Sequence, residues 1–217
     1  NTLTDRLKYA NSADWGAHAS GDLGNGFNYA VAVVNGAGYK NPSRSKGVDV
    51  EGRLAWEITP EFAVAVGGYS GYLGQEKQNN DAEKRYSRGD VMVAYAGPMF
   101  RLGGEYFTAK NLGQVQQTAV PAVGDKATGW SLWSSVRLAQ TANGDVSVFG
   151  RYDKTDTSKT LNPFREDTYW NVGVEYPVLK NFKLAAVYKD TDATVGSLAS
   201  PSQTKTKELG IWGDLKF

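Results

Sequence analysis

Five arginines, Arg53, Arg88, Arg101, Arg137 and Arg151, fall on the polar side of five different segments in which apolar and polar residues alternate. Lys183 and Lys189 do the same on a sixth. Cationic groups at different heights along one wall form a stepped path for an anion, each step offering a fixed positive charge. The same alternation puts Asp14, Asp22, Asp49, Glu51, Glu57, Asp90, Glu105, Asp153, Glu208 and Asp214 on that side. Ten acids then face eight bases once Lys216 is counted. Pairing among them gives ion pairs and a transverse field instead of a positive ladder. Both readings stand at this stage.

Catalytic chemistry has little to work with. The single histidine, His18, has Ser20 two residues along. Side chains at i and i+2 of a strand stand roughly 7 Å apart, beyond direct hydrogen-bond reach. One histidine and no cysteine supply no zinc site. Carboxylate pairs such as Asp153 with Asp156, or Asp190 with Asp192, lack the spacing of a calcium loop. No phosphate-cradling loop or nucleophile elbow occurs, and Gly68-Tyr69-Ser70-Gly71 has the wrong spacing for the latter. The sequence therefore predicts no enzyme, no metal and no cofactor.

The segments that carry these charges are strand-like. They run at about Asp14–Leu23, Phe27–Asn35, Val48–Ile58, Phe62–Leu73, Ser87–Ala96, Met99–Ala109, Thr128–Ala139, Asp145–Asp153, Thr168–Tyr176, Phe182–Asp190 and Lys207–Phe217. Most have the ~9 to 11 residues that a tilted strand needs to cross a hydrocarbon core, against ~5 to 6 in soluble proteins. Short turns such as Gly24-Asn25-Gly26, Thr59-Pro60-Glu61 and Gly97-Pro98 alternate with long polar stretches at 36–47, 74–86, 110–127, 154–167 and 191–206. Aromatics gather at the segment ends: Trp56, Phe62, Tyr95, Phe100, Tyr176, Phe182 and Phe217 beside short turns, Trp15, Tyr72, Tyr106, Trp130, Tyr152, Trp170 and Tyr188 near long loops. These features predict an all-β, antiparallel, up-and-down transmembrane barrel with lipid outside and a polar lumen inside.

Bulk numbers agree. The 217 residues suit one domain, with residues 1–13 as an external loop or an additional strand. A mean hydropathy of −0.46 is what alternating faces average to. No run approaches the ~20 apolar residues of a membrane helix. Net charge is +1, from 24 basic and 23 acidic residues, which leaves no basic field for nucleic acid. No secretory leader stands at Asn1, so the expectation is that it has been removed or lies outside this sequence. Small residues on the polar side, including Ala30, Ala32, Ala63, Ala65, Ala94 and Ala185, predict an open interior.

Eleven segments raise a parity question, since single-chain bacterial barrels have even strand numbers with both ends on one side. Either Thr2–Tyr9 adds a twelfth strand, or the chain is the C-terminal part of a larger barrel.

The stretch Asn11–Gly36, with Asp14-Trp15-Gly16, a Gly-rich turn and Phe27-Asn28-Tyr29-Ala30-Val31 running into Asn35-Gly36, resembles the phosphate-selective porin O and P family of Gram-negative outer membranes. Glu51-Gly52-Arg53-Leu54-Ala55 and the terminal Leu215-Lys216-Phe217 fit the same resemblance. It implies the C-terminal part of a barrel of about sixteen strands. It also implies a homo-trimer in the outer membrane that passes anions or other small hydrophilic solutes by passive diffusion. The seven cations above are then the candidate pore-lining residues. Two alternatives remain: a structural or adhesive barrel with a plugged lumen, and a barrel hydrolase.

Overall fold

Strict alternation of apolar and polar side chains leaves a strand one apolar face to bury, and neighbouring strands with the same pattern satisfy it together. The computed structural model describes residues 2–9, 13–40, 47–74, 85–112, 124–197 and 199–216. Eleven strands form one sheet in chain order: β1 (Gly16–Gly24), β2 (Phe27–Val34), β3 (Asp49–Thr59), β4 (Phe62–Gly71), β5 (Tyr86–Ala96), β6 (Phe100–Lys110), β7 (Lys126–Thr141), β8 (Gly144–Asp156), β9 (Glu166–Leu179), β10 (Phe182–Ser197) and β11 (Ser200–Leu215). Every neighbouring pair is antiparallel. Each of the eleven expected segments is a strand. The sheet is an open part of a transmembrane up-and-down barrel, and β1 and β11 are its two margins. No described helix is long and apolar enough to cross a membrane.

The short turns follow their chemistry. Between β1 and β2, Asn25 and Gly26 both adopt positive φ, +53° and +81°, as a two-residue hairpin turn of matching twist requires. Between β3 and β4, the Thr59 hydroxyl accepts from the backbone N–H of Glu61 and of Phe62.

Two expectations are corrected. The stretch 191–206 is not a long loop: the β10–β11 ladder runs unbroken to Ser197 opposite Ser200. Polar composition suggested a loop. Thr191, Thr194, Val195, Thr204 and Thr206 are strand formers, however, and Asp192 faces Lys205 at 3.8 Å while Asp190 faces Lys207 at 4.0 Å across the ladder. The other correction concerns Thr2–Tyr9, which is no strand. It holds a short helix, α1 (Leu3–Arg6), with the Thr2 hydroxyl accepting from the Asp5 N–H at its start. Among the described residues the count of strands stays at eleven. The terminal Phe217 and the centres of three of the long loops lie outside the described residues.

Registers fix the two faces. Val50, Leu54, Leu102, Val172 and Ile211 lie on the outer face and are exposed, Ile211 by 80%. Near the short-turn end of that face Phe27 stacks on Trp56 at 5.1 Å, and Tyr95 lies 4.9 Å from Phe100. Near the long-loop end Trp130 meets Tyr152 at 5.3 Å and Trp170 meets Tyr188 at 5.2 Å. These are the two aromatic bands that a lipid-facing wall carries at its interfaces.

Candidate functional site: the inner wall

Register puts the seven cations on the inner face in three groups. Towards the long-loop end, Arg53 opposes Ala30 on β2, and Arg88 opposes Tyr69 on β4. A hollow of about 150 Å³ there is bordered by His18, Ala30, Glu51, Arg53 and Arg88. Towards the short-turn end, Arg101, Arg137 and Lys183 border a larger hollow of about 610 Å³ together with Asp145, Phe149 and Glu175. Arg151 and Lys189 lie on a shared row, bridged by Asn171 of β9.

Most of these cations have partners. Arg88 Nε donates to Asp90 Oδ1 at 3.0 Å, Arg151 Nε to Asp153 Oδ1 at 2.7 Å, and Lys183 Nζ to Glu175 Oε1 at 2.7 Å. Arg137 stands 3.7 Å from Asp145. Lys189 lies 3.4 Å from Glu208 and 3.9 Å from the centre of the Trp212 ring. Arg53 and Arg101 make no ion pair among the described residues. Among the described residues the wall is thus a mosaic of ion pairs, with Arg53 and Arg101 outside it.

Some acids assigned to the lumen by alternation hold the fold instead. Asp49 is fully buried; its carboxylate accepts from the Tyr69 hydroxyl at 2.5 Å and from the backbone N–H groups of Tyr72 and Leu73. Asp14 precedes β1 and accepts from the N–H groups of Trp15, Gly36 and Gly38. Both fasten the ends of strands to the segments that follow.

The feature that alternation missed is the N-terminal segment, which folds onto the inner face. Leu3, Leu7 and Tyr9 are buried in one cluster with Tyr86, Phe107, Ala109 and Ala127. Tyr9 and Phe107 have ring centres 4.8 Å apart. Arg6 Nε donates to Asp153 Oδ2 at 3.1 Å and Arg6 Nη2 to Asp167 Oδ1 at 2.5 Å, with its guanidinium 4.7 Å over the Tyr169 ring. Arg88 Nη1 donates to the Tyr9 carbonyl at 3.0 Å. Backbone N–H groups of Leu3 and Thr4, at the start of α1, are directed at Glu105. A signal was present: Thr2-x-x-Asp5 is a helix-start pattern, and Leu3 with Leu7 has helical spacing.

His18 and Ser20 face Ala32 and Ala30 respectively across the β1–β2 ladder, on the inner face. No group of three or more acidic or histidine side chains able to hold a metal occurs among the described residues.

Two solved structures share this architecture. One is a porin, matched with a TM-score of 0.60 at 12% identity over 90% of this chain and 61% of that chain. The other is an anion-selective porin from Comamonas acidovorans, with a TM-score of 0.59 at 12% identity over 91% and 58% respectively. The chain spans roughly three-fifths of the length of either. No protein-family model and no curated protein matches the sequence. At this identity the likeness establishes the fold, which is that of porins.

Proposed function

We propose that this chain is the C-terminal part of an outer-membrane porin of a Gram-negative bacterium, a passive channel for small hydrophilic solutes with an anion bias. One observation carries the reading: an apolar face banded by aromatics at both ends backs onto a charged inner face on which residues 2–9 stand as an inward projection. Solutes are then sorted by the width left beside that projection and by the charge of the wall. The bias rests on Arg53 and Arg101, which make no ion pair among the described residues, and the Comamonas acidovorans porin is itself anion-selective.

The sheet margins support a larger barrel. Strand edges are not tolerated in hydrocarbon, so the free edges of β1 and β11 require pairing in a bilayer, which fits a barrel of about sixteen strands. The sequence resemblance to the O and P family supports this reading, and a homo-trimer is part of the proposal.

Reconstitution of the intact protein in a planar bilayer tests the proposal. Step-like ion currents are expected, with a reversal potential in a salt gradient that favours the anion. Absence of current from folded protein would overturn the channel, and a cation-favouring potential would overturn the anion bias.

A further inference from the structure

The outer wall of β5–β7 carries a feature that conduction does not use. Lys110 and Lys126 stand directly opposite each other in the β6–β7 ladder, on the outer face. They lie one outward position beyond Thr108 and Thr128, which lie one beyond the Tyr106–Trp130 pair. Like charges placed directly opposite are destabilising unless something neutralises them. Among the described residues neither ammonium group has a carboxylate partner. The nearby outward carboxylates are already engaged, Asp156 with Lys159 at 3.4 Å and Glu166 with Lys154 at 3.8 Å. The connecting segment 111–124 contains no acidic residue. On β10 and β11 the corresponding outward positions are matched, Asp190 with Lys207 and Asp192 with Lys205. Among the described residues, the excess positive charge is therefore local to β6–β7.

Three outward positions further along the same face, past the Thr108–Thr128 and Tyr106–Trp130 rows, the wall is hollow. Gly104 takes an outward position between Val93 and Leu132, and with no side chain there a depression of about 560 Å³ opens, bordered by Tyr95, Leu102, Tyr106 and Trp130. Its lining is almost wholly apolar. Lysines reach readily between an interface and the apolar region beneath it, because their stems are flexible and apolar.

We propose that this wall binds one membrane lipid with an anionic phosphate headgroup, the phosphate between Lys110 and Lys126 and an acyl chain in the depression over Gly104. Charge complementarity selects the headgroup, and the hollow explains why the site lies on these strands and not along the whole rim. The assignment rests on the wall spanning a bilayer and is independent of conduction, so lipid binding and ion current fail separately.

The test is native mass spectrometry of the delipidated full-length protein titrated with phosphatidylglycerol or phosphatidylcholine of identical acyl chains. Wild type retains phosphatidylglycerol with a preference on the order of tenfold, as expected for two lysines at an anionic headgroup. The Lys110→Ala/Lys126→Ala variant loses that preference, while a Lys205→Ala/Lys207→Ala control keeps it. No preference in wild type overturns the proposal, as does a preference that survives loss of Lys110 and Lys126 or falls equally in both variants. Gly104→Leu fills the depression, since a β-carbon there meets the movable Leu132 Cδ2 at 3.0 Å and the Ser131 carbonyl at an ordinary 3.6 Å. It should lower retention of both lipids alike, and unchanged retention overturns the acyl-chain part.

Discussion

Arg53 and Arg101 differ from the other five inner-wall cations of the seven in making no ion pair among the described residues, although Glu51 borders the same hollow as Arg53 and Asp145 and Glu175 the same hollow as Arg101. Replacing both with alanine should cut the anion-to-cation permeability ratio by about two- to fivefold, the scale of one unit charge acting at a few ångströms in water. Reversal potentials measure this directly, and unchanged selectivity would place the bias elsewhere. Tyr9 gives a second residue-scale expectation. Burial, reinforced by the charges of Asp125 and Asp167, pushes its hydroxyl well above the ordinary tyrosine range. A raised value in the docked state means the neutral phenol is favoured. Its contribution to docking is complete below about pH 10 and fades as pH rises further. Conductance should therefore increase in alkaline buffer as the segment loosens. The Tyr9 hydroxyl has no hydrogen-bond partner among the described residues, so Tyr9→Phe keeps the neutral-pH current and removes the alkaline rise.

Among the elements, the turns and the two faces of the sheet set stability. Gly26 holds φ +81° in the β1–β2 turn, a conformation that costs an L residue about 1 to 2 kcal/mol. Gly26→Ala should lower the urea midpoint of unfolding accordingly, and an unchanged midpoint would show that the turn does not limit stability. All eleven strands could be read from the sequence because alternation, aromatic ends and turn residues agree at each one. The β10–β11 extension could not be, because its stability comes from cross-strand pairs such as Asp192 with Lys205, and pairing is invisible to a reading along one strand. Asp14 and Asp49 were misjudged for a related reason: alternation gives a face but not the backbone N–H groups that claim a carboxylate at a strand end. The helix at Leu3–Arg6 was signalled locally, yet its place on the inner face depends on Asp153 and Asp167, more than 140 residues away in sequence.

Across the whole molecule the two faces of the sheet meet different solvents. Val172 sits at mid-height on the outer face between the Trp170 and Tyr176 levels. Val172→Arg should cost about 2 to 4 kcal/mol in a bilayer, while an arginine in a lumen position is tolerated far better. Ala185→Arg, on the inner face of β10, is the matched comparison. Equal loss of folded protein in the two variants would contradict the division into faces. Alternation along each strand and the ladder registers put the seven cations on one face. Which of them are matched by carboxylates was not legible, because diagonal neighbours such as Arg137 and Asp145 depend on the bulge between Arg137 and Ala139.

The docked N-terminal segment has a mechanical meaning as well as a steric one. Arg6 is fastened to β8 and β9, while Tyr9 is fastened to β5 through Arg88 and to β6 through Phe107. Eight residues thus tie together strands that are otherwise joined only through their neighbours. A sheet this broad bends easily about its strand axes, and a strut across its concave side sets the radius to which it curls. Releasing that strut would change the cross-sectional shape of the pore, making it rounder or flatter, before any side chain facing the solute had moved.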